Sequence, residues 1–499
     1  MTAKKKTSAK KAEPELKLPT WAGRVPLILL AVGVVMVLFA FVFNDDKSHL
    51  AHAWLVSFMF YLSICLGAFF LVLLHYLFDS YWIVSIRRVA EHLACLLPLM
   101  AVLFVPIAIY SGMEFVEASP EAVTHHGDEE KKASNAANKA SSVNDDKPGI
   151  VHHGAAEHSH EGKRAFYDWM RSESKYNLKK GALKKKLKKD DPDISEEEIA
   201  KEISNLPVHD HAWYAKKGYL SSGFWHLRWV FCFAIWGFFT WMLRKYSLEQ
   251  DKTGAADCTR KCRVLAAVGI FVFAATLTIG AIDWMKGLEY QWFSTMFGVY
   301  YFAGSVWTSL ITIYIITLFL KKAGPLKDIV RDSTLKDNAT LFFAFTVFYA
   351  YIHFSQYFLI WNAAIPEETF WYVKREDGPW WNVGMLIIFG HFFVPFLMLL
   401  RIDVKTRPEV MITVAVLAWF LHFCDMSYNI MPVIHRFDGW MGWNILIDIG
   451  CFALMGGALS MVFIHFFKQH PPYPQKDPRI AETMGVYIPL RSEAKAAGK

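Results

Sequence analysis

Apolar stretches of membrane length recur along the chain, separated by short polar connections. Ten of them predict spanning helices, near residues 25–43, 52–76, 89–111, 223–243, 263–284, 294–320, 339–361, 382–401, 409–431 and 442–467. A spanning helix needs roughly 20 predominantly apolar residues, which these runs supply. One stretch departs from the pattern more than the others. Asn338 to Tyr372 reads NATLFFAFTVFYAYIHFSQYFLIWNAAIPEETFWY, apolar and aromatic enough to cross a membrane. Within the apolar run it carries Thr346, Tyr349, His353, Gln356 and Tyr357, and it ends in Asn362, Pro366, Glu367 and Glu368. Tyr349, His353 and Gln356 stand at i, i+4 and i+7, one stripe of an α-helix. Such a stripe cannot face lipid and has to turn toward other helices or water. The pattern predicts an all-α polytopic membrane protein of about ten transmembrane helices.

The connections divide by charge. One set holds Lys4, Lys5, Lys6, Lys10 and Lys11, then Arg87 and Arg88, then Arg244, Lys245, Arg260, Lys261 and Arg263. It continues through Lys321, Lys322, Lys327 and Arg331 to Lys405, Arg407 and the C-terminal tail, while the short connections of the other set carry few. The positive-inside rule puts both termini in the cytoplasm, in agreement with an even number of helices. The expected organisation is a cytoplasmic tail over 1–24, helices 1–3 over 25–111, an extracytoplasmic insert over 112–222, helices 4–10 over 223–467 and a cytoplasmic tail over 468–499. The first apolar run is too long for a signal-peptide core and has no small-residue cleavage pattern after it, so it reads as an uncleaved helix.

The insert contains Lys184, Lys185, Lys186, Lys188 and Lys189, but segments this long translocate regardless of charge. Its first half is rich in Ala, Ser, Asn, Asp and His, a composition that reads as disordered. In the second half Phe166, Tyr167 and Trp169 open an amphipathic stretch, and Ser195 with Glu198 forms a capping box ahead of Ile199 and Ile203. A basic, aromatic outer segment suits docking to an extracytoplasmic partner. The histidines His125, His126, His152, His153, His158 and His160 read as a solvated polar tract, since nothing fixes their geometry for a metal.

Composition sharpens this picture. Of 499 residues, 54% are hydrophobic and 16% aromatic, so the net charge of +7 belongs to loops and is not a nucleic-acid footprint. Of the 7 cysteines, Cys65, Cys95, Cys232 and Cys451 lie in apolar runs, and Cys258 and Cys262 stand four apart. None of these spacings attaches a c-type haem, an iron–sulfur cluster or a zinc ion. No metal site and no covalently bound cofactor are expected in this chain.

The polar groups at membrane depth sort by side. Toward the outside lie Arg228, Asp283, His353, Gln356, His422, Asp425 and Asp448, with His391 near the middle, and toward the inside His75, Glu91 and His92. His422, Asp425 and Asn429 fall at i, i+3 and i+7, again on one face. A charged group in a membrane costs a few kcal/mol or more unless paired or hydrated. The outer set therefore suggests a hydrated, proton-exchanging chamber. Blander readings stand beside it: Arg228 and Asp283 can snorkel from helix ends, Asp448 can pair with a neighbouring helix, and His353 or His391 can be hydrogen-bonded core histidines. Ligation of a b-type haem by these histidines would ask for two pairs at matched depths, which the sequence does not offer. The run from Gly298 to Gly304 (GVYYFAG) reads as close helix packing.

Several runs carry a resemblance. AIDWMKGLEYQWFSTMFGVYYFAGS (281–305), FTVFYAYIHFSQYFLIWNAAIPEETFWY (345–372), HFFVPFLMLLR (391–401), LHFCDMSYNIMP (421–432) and GYLSSGFWHLRW (218–229) are similar to the F subunit of bacterial alternative complex III. That subunit is an NrfD-like membrane protein of a quinol:cytochrome c oxidoreductase. The resemblance covers nearly all of the membrane part in order. It does not cover the N-terminal extension, and much of 112–217 looks peculiar to this chain.

The resemblance implies two four-helix bundles, helices 2–5 and 6–9, flanked by helices 1 and 10. It implies residence in the bacterial inner membrane beside an NrfD-like C subunit, an iron–sulfur subunit, c-haem subunits and often a haem–copper oxidase. Haem c and iron–sulfur clusters then belong to those partners. In the C subunit, helix 2 carries a His-Ala-Gly run at the quinol site, ahead of the pattern matched here by Arg88 to Glu91. This chain has Ser63-Ile64-Cys65-Leu66-Gly67-Ala68 there, with no base to accept quinol protons.

The function expected is that of a scaffolding subunit with a proton pathway. Its relay candidates are Tyr349, His353, Gln356, His391, His422, Asp425 and Asp448, with Arg228, Asp283, Glu91 and His92 as secondary candidates. A quinone-binding subunit in its own right and a stand-alone secondary transporter are the alternatives. No clear inverted repeat or pair of broken helices favours the transporter.

The orientation is testable in intact cells. A cysteine placed at Ser142 should react with an impermeant maleimide from outside; labelling only after permeabilisation would invert the topology.

Overall fold

The computed structural model describes residues 19–43, 47–116, 163–190, 194–195, 198–199, 211–376, 378–435 and 444–486. Among these residues ten helices are long and apolar enough to cross a membrane: α1 Ala22–Phe43, α2 Lys47–Phe78, α3 Arg87–Tyr110, α4 Ser222–Thr253, α5 Ala256–Trp284, α6 Phe297–Ala323, α7 Asp332–Ala363, α8 Trp380–Leu399, α9 Pro408–Val433 and α10 Asn444–Gln469. Most run beyond the expected bounds because polar turns extend a helix past its apolar core. α3 loosens at Cys95 and Leu96, ahead of Pro98. α8 widens to a π-helix over Ile387–Phe393, just before Pro395, which has no N–H for the carbonyl of His391.

The helices pack as two rings of four. α2, α3, α4 and α5 form the first and α6, α7, α8 and α9 the second, with α1 laid along α10 and α10 along α2. The arrangement expected from the resemblance is therefore present. α2 is the axis of the molecule. It touches α3, α5, α6, α9 and α10, and 94% of its apolar core is buried, against 28% for α7. Such closeness requires small residues where backbones meet. A Cβ on Gly67 would lie 2.2 Å from the Ser305 carbonyl oxygen and 2.3 Å from Ser309 Oγ. The Ser309 hydroxyl donates back to the Ile64 carbonyl at 2.7 Å. Gly33, Gly450 and Gly457 do the same service between α1 and α10.

The ends of the helices differ. At the end holding the insert, Glu114–Val116 pairs antiparallel with Lys163–Ala165, the one strand pair among the described residues. Phe166, Tyr167 and Trp169 are buried, and the Tyr167 hydroxyl donates to the Trp284 carbonyl at 3.0 Å. These aromatics anchor a helix over Trp169–Asp190. The expected capping box is present: Glu198 N–H donates to Ser195 Oγ at 3.2 Å and Ser195 N–H to Glu198 Oε2 at 3.2 Å. Ile203 and the six insert histidines lie outside the described residues.

At the opposite end, the segment after α10 straps the first bundle. Asp477 pairs with Arg87 at 2.5 Å, Arg479 with Asp79 at 2.7 Å, and Thr483 donates to the Tyr81 carbonyl at 2.8 Å.

The two-bundle contact is tested by glycine substitution. Gly67→Ala should destabilise the protein by about 1–3 kcal/mol, the usual cost of overpacking, because its new methyl meets backbone. Gly237→Ala on α4, with nothing within 4 Å, should be neutral or stabilising. Thermal unfolding of the two variants in one detergent makes the comparison, and equal midpoints would remove the packing argument.

Candidate functional site

The second bundle encloses a fully buried polar cluster. Tyr300 comes from α6, Tyr349 from α7, His391 from the π-turn of α8, and His422, Asp425 and Asn429 from one face of α9. The Tyr300 hydroxyl donates to Asp425 Oδ1. Tyr300 then accepts from Tyr349 at 3.2 Å and from the Asn429 amide at 3.1 Å. With Tyr349 donating to Tyr300 and Tyr300 to Asp425, the three form a directed chain. Asn429 also donates to the Asp425 carbonyl at 2.8 Å.

His391 is sandwiched between two aromatic faces. Its ring centroid lies 3.8 Å from Trp307 and 4.0 Å from Tyr349, with interplanar angles of 20° and 27°. This stacking fixes the plane of the His391 ring. The Trp307 indole is itself pinned by donation to Thr346 Oγ1 at 2.8 Å. His422 reaches the axis helix: its Nε2 is 2.9 Å from Ser63 Oγ. Since the Ser63 hydroxyl donates to the Phe60 carbonyl at 2.6 Å, His422 is the donor in this pair. Gly304 leaves room for the ring, because a Cβ there would stand 3.2 Å from His422 Cε1. The GVYYFAG run is thus helix packing at Gly298, against Thr278, and a cradle for His422 at Gly304.

Four of the expected relay residues, Tyr349, His391, His422 and Asp425, meet in this cluster. His353 adjoins it, half-buried, 5.5 Å from the Tyr300 ring and 5.9 Å from the Tyr349 ring by centroid. Gln356 faces the insert-side cover instead: it accepts from Ser294 at 2.9 Å and donates to Tyr372 at 3.2 Å. Asp448 stands apart, 3.3 Å from His49 Nε2, and His49 Nδ1 is 2.8 Å from His435. That is the partnership with a neighbouring helix, joining α10 to α2.

The secondary candidates sit in the first bundle as paired charges. Arg228 Nε meets Asp283 Oδ2 at 2.5 Å, and the Tyr219 hydroxyl donates to the same carboxylate at 2.7 Å. Both members are buried, so pairing and not snorkelling satisfies them. Glu91 accepts from Arg87 at 3.0 Å, Arg88 at 2.6 Å and Ser247 at 2.7 Å, and Arg88 also pairs with Asp251. Arg244 donates toward His92 Nδ1 at 3.2 Å. These groups fasten α3, α4 and the strap and do not extend the second-bundle cluster.

A short helix closes the second bundle on the insert side. Pro366–Glu376 stacks Trp371 on Trp292 at 4.5 Å. Its Arg375 is fully buried and donates to the Tyr428 carbonyl at 2.9 Å, the Asn429 carbonyl at 3.0 Å and Glu289 at 3.0 Å. A cation on the last carbonyls of α9 complements the negative end of that helix. Lys374 adds a second bond to Glu289 at 2.8 Å.

Sequence reasoning passed over Tyr300, Trp307, Ser63, Arg375 and Glu289. For two of them the signal was there: Tyr300, Gly304 and Trp307 stand at i, i+4 and i+7, the same stripe spacing as on α7. Ser63, Arg375 and Glu289 acquire their roles only from partners distant in the chain.

The cover helix should respond to acid. Burial alone would raise the Glu289 carboxyl, but Arg375 and Lys374 together hold it below the ordinary value of 4.5. A depressed carboxyl contributes stability above its unfolded value that is lost as pH falls through the folded one. Hydrogen exchange over 366–376, corrected for intrinsic rates, should therefore speed up below about pH 4. Glu289→Gln should speed it already at neutral pH. Exchange that ignores both changes would refute the clamp.

No protein-family model matches the chain, and no curated protein is similar to it.

Proposed function

We propose that this protein is a membrane subunit of a respiratory quinol:cytochrome c oxidoreductase of the alternative complex III type, which scaffolds the assembly and conducts protons through its second bundle. In this reading it resides in the bacterial cytoplasmic membrane with both termini cytoplasmic. Its partners are an NrfD-like C subunit, iron–sulfur and c-haem subunits, and a haem–copper oxidase, with the redox centres in those partners. The sequence runs quoted above and the two-bundle architecture support the assignment.

The observation that carries the proton function is the buried chain from Tyr349 through Tyr300 to Asp425. A proton leaving one hydroxyl can be replaced from the next, and a carboxylate at the end stores it. His391 and His422 extend the path toward mid-depth, because a neutral imidazole offers one donor and one acceptor nitrogen. On the strap side of the cluster α6 carries Thr308 and Thr312, the latter accepting from Trp419 at 3.0 Å, followed by the buried Tyr314 and Thr317. The hydroxyls along α6 thus offer the continuation, while Glu91 and His92 remain tied in the first bundle.

A second reading, a quinone site of this subunit's own, is favoured by one feature. Arg244 occupies His92 Nδ1, so the buried Nε2 carries the hydrogen, and it has no acceptor among the described residues. Phe463 and Phe467 flank that ring at 5.8 Å and 5.4 Å. A donor between aromatic faces suits a quinone carbonyl, and photo-crosslinking with an azidoquinone would mark α3 and α10 if one binds.

The proton function is tested in vesicles reconstituted with the whole complex. Asp425→Asn and Tyr300→Phe should each lower proton passage by about a hundredfold, the scale of lost acid–base groups, with quinol-to-cytochrome c electron transfer retained. His353→Leu should have a smaller effect, since His353 adjoins the chain without closing it. Wild-type proton-to-electron ratios in Asp425→Asn and Tyr300→Phe would reduce the cluster to structural hydrogen bonds.

A further inference from the structure

The hydrogen bonds around the second-bundle cluster leave a particular set of atoms facing inward. His422 spends its Nε2 hydrogen on Ser63, so its Nδ1 is a lone pair, buried and with no hydrogen-bond partner among the described residues. Asp425 receives Tyr300 and Asn429 on Oδ1, while Oδ2 has no donor there. His391 has no hydrogen-bond partner on either ring nitrogen among the described residues. One ligating atom from each of these three residues lies within 4.8 Å of the other two. All three side chains are fully buried, at 0% exposure.

Converging lone pairs without a donor repel one another and cost free energy, so buried groups of this kind are matched by a proton, a water or a cation. The outer bonds strengthen the last case. Ser63 fixes the tautomer of His422, and Tyr300 with Asn429 holds one carboxylate oxygen so that the other points inward. Those are the supports that orient metal ligands from behind.

We propose that His391, His422 and Asp425 form a binding site for a borderline-soft divalent transition-metal ion such as Zn²⁺. Two imidazoles and one carboxylate suit this class better than Mg²⁺ or Ca²⁺, which prefer oxygen ligands. Bonds of about 2.0–2.2 Å to each ligand in tetrahedral geometry leave a fourth position open. The ligand atoms would have to draw together to about 3.4 Å apart. An in-plane shift of His391 between its two stacking partners, opposed by no ring hydrogen bond among the described residues, supplies that movement. The ion takes up the lone pairs that otherwise hold a proton. The binding stands on the geometry alone. Its consequence, that a bound ion stops proton passage, rests on the relay reading above.

Cobalt is a suitable probe because a four-coordinate Co²⁺ absorbs visibly and reports its own coordination. The full-length chain, with His125, His126, His152, His153, His158 and His160 changed to Ala, is stripped with a chelator and titrated with Co²⁺ in detergent. One equivalent should bind with the absorption of a four-coordinate site. Asp425→Asn should weaken that binding at least tenfold. Gly304→Val keeps all three ligands but presses a side chain on His422, and it should also weaken binding about tenfold or more, as lost support of a ligand does. Absence of a one-equivalent four-coordinate spectrum would overturn the proposal, as would binding unchanged by both substitutions. Gly304→Val decides the matter if Asp425→Asn fails to fold. The assay needs no turnover: a chain that binds Co²⁺ at these residues while Asp425→Asn pumps normally keeps the metal site and loses the relay, and the converse result does the opposite.

Discussion

Lipid offers no hydrogen-bond partner, so every polar group at membrane depth has to find one within the protein. That constraint shapes the whole molecule. α2 could become its axis only by packing closely against α3, α5, α6, α9 and α10, with Gly67 letting it approach the Ser305 backbone. Two polar interiors then arise on either side of α2, and they solve the constraint differently. In the first bundle charges cancel pairwise: Arg228 with Asp283 on the insert side, and Arg87 and Arg88 with Glu91, Asp251 and Asp477 on the other. In the interior of the second bundle the polar groups are neutral or singly acidic: Tyr300, Tyr349, His391, His422, Asp425 and Asn429 meet there without a basic partner for the carboxylate among the described residues.

That difference bears on function. A buried ion pair is costly to break, because removing one member strands the other charge. The first bundle is therefore suited to holding a shape, and the strap from Asp477 to Thr483 extends the same fastening beneath it. The second bundle holds groups that can change protonation without stranding a fixed countercharge. The wide turn at His391 belongs to this logic. A π-segment inside a helix is an irregularity that tends to mark functional positions, and here it sets the imidazole between Trp307 and Tyr349.

Much of this was legible in the chain. Ten apolar runs announce ten helices because hydrocarbon thickness leaves little freedom in length. The stripe of Tyr349 and His353 on α7 and that of His422 and Asp425 on α9 do face the bundle interior, since periodicity alone decides which residues share a face. The capping box at Ser195 was readable for the same local reason. What could not be read is which partner each polar group finds across the fold. Gln356 shares the stripe of Tyr349 yet bonds Ser294 and Tyr372 in the cover. Asp448 turns to His49, and Ser63, in a run without an ionisable group, supports His422. The π-turn has no sequence signal beyond Pro395.

In the proposed relay, Asp425 gains and loses a proton within the second bundle. Infrared difference spectroscopy of the proposed complex during quinol-driven turnover addresses it directly, because a protonated carboxylic acid has a carbonyl stretch that a carboxylate lacks. A carboxylic-acid band should rise and fall with turnover in the wild type, shift in Tyr300→Phe, and vanish in Asp425→Asn. A spectrum in that region identical between wild type and Asp425→Asn would contradict the claim.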